Sequence, residues 1–108
     1  VLGWLDGGGR IDATYEAGGV SGNTLLMEAA SQGHERLVES LLQRGADVNL
    51  QTGEGATALT FATNDGHERV VELLLARGAE INKQRSDGFT ALMFAAVNGH
   101  ERVVELLL

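Results

Sequence analysis

Two ten-residue stretches of this chain, Gly66–Leu75 and Gly99–Leu108, are identical and have the sequence GHERVVELLL. A third copy, GHERLVESLL, begins at Gly33 and differs from them at only two positions. The three copies start 33 residues apart, and a fixed offset of this kind indicates repeated structural units that stack on one another.

Each unit predicts two helices joined by a tight turn. A threonine that can cap a helix comes first, and a glycine nine residues later favours the left-handed conformation that ends one. The second helix is predicted to begin at the histidine after that glycine. Its apolar residues have helical spacing and predict a buried stripe of Val38, Leu41, Leu42, Val71, Leu74 and Leu75.

The segments between these helices also recur. The polar stretches Asp47–Gly55 and Glu80–Gly88 predict β-hairpin-like loops, and Arg44 and Arg77 are predicted to lie in the last turn of the second helices. One helix pair cannot bury its own apolar side, so we expect a layered core shared between neighbours. Close approach of the first helices is predicted at Ala29, Ala62 and Ala95.

Composition excludes several classes of protein. The 108 residues carry 15 acidic and 8 basic side chains, which argues against nucleic acid as a partner. With no cysteine, the chain has no disulfide, zinc-thiolate site or cysteine nucleophile. The longest apolar run, Ala91–Val97, is too short to span a membrane, which takes about 20 residues. Val1–Gly9 do not have the pattern of a signal peptide, and we expect an intracellular location, cytoplasmic or nuclear.

The stretch LLQRGADVN, at Leu41–Asn49, and its counterpart LLARGAEIN, at Leu74–Asn82, resemble the end of an ankyrin repeat. The period of 33 residues and the Gly-His opening of the second helix also resemble that family, although its usual Thr-Pro-Leu-His is missing from every unit. The resemblance implies an all-α, ankyrin-type helix-turn-helix solenoid with β-hairpin-like loops. It further implies a protein partner, no catalysis and no cofactor.

The repeats predict one stacked domain with four parts. Residues 1–19 form a partial repeat and a long loop, with Trp4 in the core, and ankyrin repeats occupy residues 20–52, 53–85 and, truncated, 86–108. The stretch Ala13–Ser21 is longer than its counterparts and is predicted to be a loop. We expect the apolar end at Leu106, Leu107 and Leu108 to draw a second copy end to end.

No pattern of catalytic residues accompanies the repeat. The histidines His34, His67 and His100 recur because the unit recurs, and they are interpreted as helix-start residues rather than as metal ligands. The loop glycines are not followed by the Gly-Lys-Ser/Thr of a phosphate-binding loop. We therefore predict a chain that is not an enzyme and that binds no metal.

Because the scaffold repeats, recognition is expected where the units differ. Phe89 is predicted to be an exposed anchor, whereas Phe61 and Phe94 are predicted to be partly buried. The acidic residues among the variable positions predict a partner segment with Lys or Arg. The candidate partner-binding residues are Phe89, Glu54, Asp65, Asn64, Ser86, Asp87, Val97, Asn98, Gln32 and Ser31.

Asn49 and Asn82 have two interpretations. The first is a turn asparagine that bonds the backbone of its own loop. By resemblance, the second is the hairpin asparagine that is hydroxylated in some ankyrin proteins.

Two functions compete with partner binding. One is an architectural spacer within a larger protein, and the other is end-to-end self-association.

Overall fold

The structure is a computed structural model that describes residues 10–108. The predicted packing of Trp4 lies outside the described residues. Within residues 10–108, six helices form three antiparallel pairs, preceded by a two-stranded sheet. The elements are β1 (Tyr15–Ala17), β2 (Val20–Asn23), α1 (Leu25–Gln32), α2 (Glu35–Gln43), α3 (Ala58–Asn64), α4 (Glu68–Ala76), α5 (Ala91–Val97) and α6 (Glu101–Leu107).

The predicted signals for helix ends are confirmed. The hydroxyl groups of Thr24, Thr57 and Thr90 accept the backbone N–H three residues later, so each satisfies a donor that the first turn leaves free. The glycine after each first helix has a left-handed φ between 70° and 73°. Arg44 and Arg77 lie one residue beyond the end of their helices, rather than in the last turn as predicted, because the next residue is again a left-handed glycine.

The core lies between the layers, as the repeat predicts. Leu41 and Leu74 of the second helices are fully buried, and so are Ala29, Ala62 and Ala95 of the first helices, where close approach was predicted. Leu75 is only partly buried, whereas Val70, which was not predicted in the stripe, is fully buried. Val70 lies one helical turn before Leu74 on the same face, and Leu75 lies at the edge of that face.

Stacking is closer on one side of the molecule than on the other. The first helices α1, α3 and α5 contact one another more extensively than the second helices α2, α4 and α6 do. Their contacts are made by small residues such as Ala62 and Ala95, which are completely or almost completely buried. We call the side that is formed by the first helices and the loops before them the inner side of the stack.

The stretch Ala13–Ser21 was predicted to be a loop, and this prediction was wrong for most of its length. Strand β1 and the start of strand β2 lie in it and pair as an antiparallel hairpin. Gly18 and Gly19 form its turn with positive φ. The two later loops are β-hairpin-like, as predicted. Each is closed by two backbone hydrogen bonds. In the first loop the N–H of Thr52 donates to Ala56 at 2.8 Å and that of Gly55 to Thr52 at 2.8 Å; in the second the N–H of Arg85 donates to Phe89 at 2.9 Å and that of Gly88 to Arg85 at 2.8 Å.

Backbone hydrogen bonds also join each loop to the next. The N–H of Gly53 donates to Ser21 at 2.8 Å, and that of Ser86 donates to Glu54 at 2.8 Å. We call the hairpin, residues 15–23, and the two loops, residues 51–57 and 84–90, the first, second and third fingers of the structure. Because the fingers are bonded in a row, they extend the inner side of the stack as a continuous surface.

The apolar end differs from the prediction. Leu107 is only 5% exposed and belongs to the core, Leu106 is partly buried, and Leu108 is 88% exposed. Leu107 therefore packs into the core, which leaves a smaller exposed apolar surface at residues 106–108 than three exposed leucines would form. Among residues 10–108, no helix is both long and apolar enough to cross a membrane.

Candidate partner-binding surface

Two histidines, His67 and His100, hold neighbouring units together. His67 Nε2 donates to the Ser31 carbonyl at 2.9 Å, and His100 Nε2 donates to the Asn64 carbonyl at 3.1 Å. Each ring lies against the glycine that ends the first helix of the preceding unit. A Cβ added to that glycine would come within 2.8 Å of the imidazole ring. Across residues 10–108, no three side chains of the metal-binding types lie close enough to hold an ion.

The side chain of Asn49 forms hydrogen bonds with the next unit rather than with its own loop. The interpretation of Asn49 as a turn asparagine that bonds the backbone of its own loop was therefore wrong. Its Nδ2 donates to the Gly78 carbonyl at 3.1 Å, and its Oδ1 accepts the Glu80 N–H at 2.8 Å. The amide spans the exits of two second helices. Asn49 is therefore a structural residue between units.

The predicted residues at the ends of the first helices come together in a row. Ser31 Oγ donates to Asp65 Oδ2 at 3.2 Å, and Asn98 Nδ2 donates to Asn64 Oδ1 at 2.9 Å. Gln32 is exposed, and Val97, at 72% exposed, is the most exposed large apolar residue of the described helices. The row runs across all three units.

The predicted residues of the fingers do not all remain accessible. Glu54, Ser86 and Asp87 are exposed. The Asp87 carboxylate accepts the Phe89 N–H at 3.1 Å and an Arg85 hydrogen bond at 2.7 Å, and these two contacts lower its pKa below the usual value. Asp87 thus holds its own finger together.

Phe89 is not the exposed anchor that was predicted. The Phe89 residue is partly buried, and its ring centroid lies 5.0 Å from that of Phe94. The guanidinium carbon of Arg85 lies 5.1 Å from the centroid of the Phe94 ring, so the three side chains form one cluster. The aromatic pair fixes the last finger against α5. Phe61 and Phe94 are partly buried, as predicted.

Charge is distributed unevenly between the two sides of the stack. Residues 13–33, 51–66 and 84–99, which form the fingers and first helices, contain five acidic residues and one basic residue. The second helices with their flanking residues, 34–44, 67–77 and 100–108, contain six acidic and five basic residues. The single basic residue on the inner side, Arg85, is paired with Asp87 at 2.7 Å. The inner side is therefore a surface of mostly uncompensated negative charge.

Within residues 10–108, three stacked helix pairs joined by a row of fingers define a helical repeat protein. A family model described as ankyrin repeats, in three copies, matches residues 26–108. The match covers well over half of the chain, which therefore belongs to the ankyrin repeat family. Ankyrin repeats are in general protein–protein interaction modules.

Proposed function

We propose that this chain is a non-catalytic interaction module that binds a basic segment of a partner protein on the inner side of the stack. The observation that carries the proposal is the five-to-one excess of acidic over basic residues on that side. Opposite charge increases the rate of encounter and selects among partners, so this side favours a segment rich in Lys or Arg.

The variation between units supports the same side. Residues that set the backbone or fill the core recur, whereas the exposed helix ends and finger tips differ from unit to unit. Glu54 and Asp65 lie at such positions, on a finger tip and at a first-helix end respectively. A fixed scaffold with variable exposed residues is suited to recognition.

Affinity capture with charge-reversed variants tests this proposal. The double variant Glu54→Lys/Asp65→Lys places cations on the inner side. We expect the amount of captured protein to fall at least about tenfold, because each repelled charge pair weakens association. The control Glu39→Lys/Glu72→Lys changes the net charge equally, but on exposed positions of the second helices. We expect the control to retain the same proteins, and higher salt to weaken their binding to the unmodified chain.

The same set of proteins bound by both double variants would contradict the proposal. If no protein is captured by any form, the chain functions as a spacer. Self-association is the second candidate, since Met93, Val97 and Leu108 leave apolar side chains exposed on the last helix pair. Sedimentation of the chain alone at several concentrations tests it, and a strictly monomeric chain would reject it.

A further inference from the structure

An open cavity of about 340 Å³ lies where the first two fingers meet the first helices. Val20 of the first finger and Ala56 of the second give it apolar walls, and the Phe61 ring of α3 lines it. Its volume is near the lower limit of ligand-sized cavities, about 300–1,000 Å³. It is therefore suited to one long side chain of a partner rather than to a folded element.

Two carboxylates border this cavity. Glu28 comes from α1 and Glu54 from the second finger, and both are exposed. Within the part of the chain that the structure describes, neither carboxylate forms an ion pair or a side-chain hydrogen bond. Burial, and to a lesser extent the negative charge of Glu28, raises the pKa of the neighbouring Tyr15 above its ordinary value.

The cation that also lines the cavity does not neutralise these two carboxylates. Arg85 is bonded to Asp87 at 2.7 Å, and its guanidinium lies 5.1 Å from the Phe94 ring. The cavity thus combines an aromatic ring, apolar walls and two unpaired negative charges that come from different elements.

We propose that this cavity takes an arginine side chain from the partner segment, a proposal that rests on the interaction function proposed above. The methylene stem of the arginine contacts Val20 and Ala56. The planar guanidinium stacks on Phe61, and its several N–H donors reach Glu28 and Glu54 together. A lysine fills the same space less well, because an ammonium group is a point charge that neither stacks on a ring nor bridges two carboxylates in one plane.

Selection from a random peptide library on the purified chain tests this assignment. We expect the selected peptides to share an arginine. In one such peptide, replacing the arginine with lysine should lower affinity about tenfold, and replacing it with the uncharged norleucine should lower it further. Glu28→Gln and Phe61→Leu should each weaken the arginine peptide, and with Glu28→Gln the preference for arginine over norleucine should shrink. Thermal unfolding of each variant verifies that it is folded.

The matched control is Glu72→Gln, which removes one exposed carboxylate from the second helix of the next unit. It should leave the affinity of the arginine peptide unchanged. Peptides that bind the inner side and are weakened by Glu54→Lys/Asp65→Lys, but tolerate norleucine at every arginine, would overturn the arginine site and leave the proposed function standing. If no selected peptide is weakened by that double variant, both proposals fail.

Discussion

Met27→Ala is expected to lower the free energy of unfolding by about 2–5 kcal/mol, the usual cost of truncating a buried large side chain. Met27 is 2% exposed, and α3 of the next unit packs against its helix. The loss combines the apolar surface returned to water and the cavity that remains between two units.

Met93→Ala is the matched control, because Met93 has the same register in its own unit, 66 residues further on. It is 47% exposed, and we expect its truncation to cost less than about 1 kcal/mol, as is usual for a surface position. Urea denaturation of both variants measures the difference. Equal losses would contradict the view that the following unit buries this position.

Gly55→Ala is expected to destabilise the chain much more than Gly88→Ala. Both glycines close the turn of a finger, with φ of 85° and 86°, so the strain of adding a side chain to a left-handed residue is the same, about 1–2 kcal/mol. A Cβ at Gly55 would lie 2.8 Å from the Gln84 carbonyl oxygen and 3.0 Å from Arg85 Cα, whereas a Cβ at Gly88 has no described neighbour within 4 Å.

The extra cost at Gly55 is the cost of overpacking against the backbone, about 1–3 kcal/mol. Backbone atoms of the next finger cannot rotate away as a flexible side chain can. The difference between the two midpoints of urea unfolding isolates this contact, since the backbone strain cancels. Midpoints that are lowered equally would mean that adjacent fingers are not in contact.

Repetition made the helices predictable from the sequence. Thr57 and Gly66 are local signals that act within a few residues, and each recurs in every unit, so the bounds of the first helices and the layered core could be stated in advance. The family assignment follows from the same residues, because they determine the backbone and the packing between units.

The contacts between units were harder to predict. His67 was interpreted as a helix-start residue, yet its ring bonds the carbonyl of a residue 36 positions earlier. Asn49 bonds backbone groups about 30 positions later. Nothing in the local sequence specifies these partners. The available signal was that a histidine follows a glycine in each unit at the same offset.

Phe89 shows why the candidate surface was only partly predictable. Phe89 follows a turn glycine, and this position suggested an exposed side chain. Its ring instead packs against the ring of Phe94, five residues later in the chain. Glu28 and Phe61, in contrast, were not among the candidate residues. They border one cavity only because α1, α3 and two fingers converge there.

Whether neighbouring units stack as described can be measured in solution by nuclear Overhauser effects on the isotope-labelled chain. We predict cross-peaks from the Gly33 Hα protons to the His67 ring and from the Gly66 Hα protons to the His100 ring, because a Cβ at either glycine would lie 2.8 Å from that imidazole. Ring protons of His67 and His100 that show contacts only within their own units would contradict the stacked arrangement.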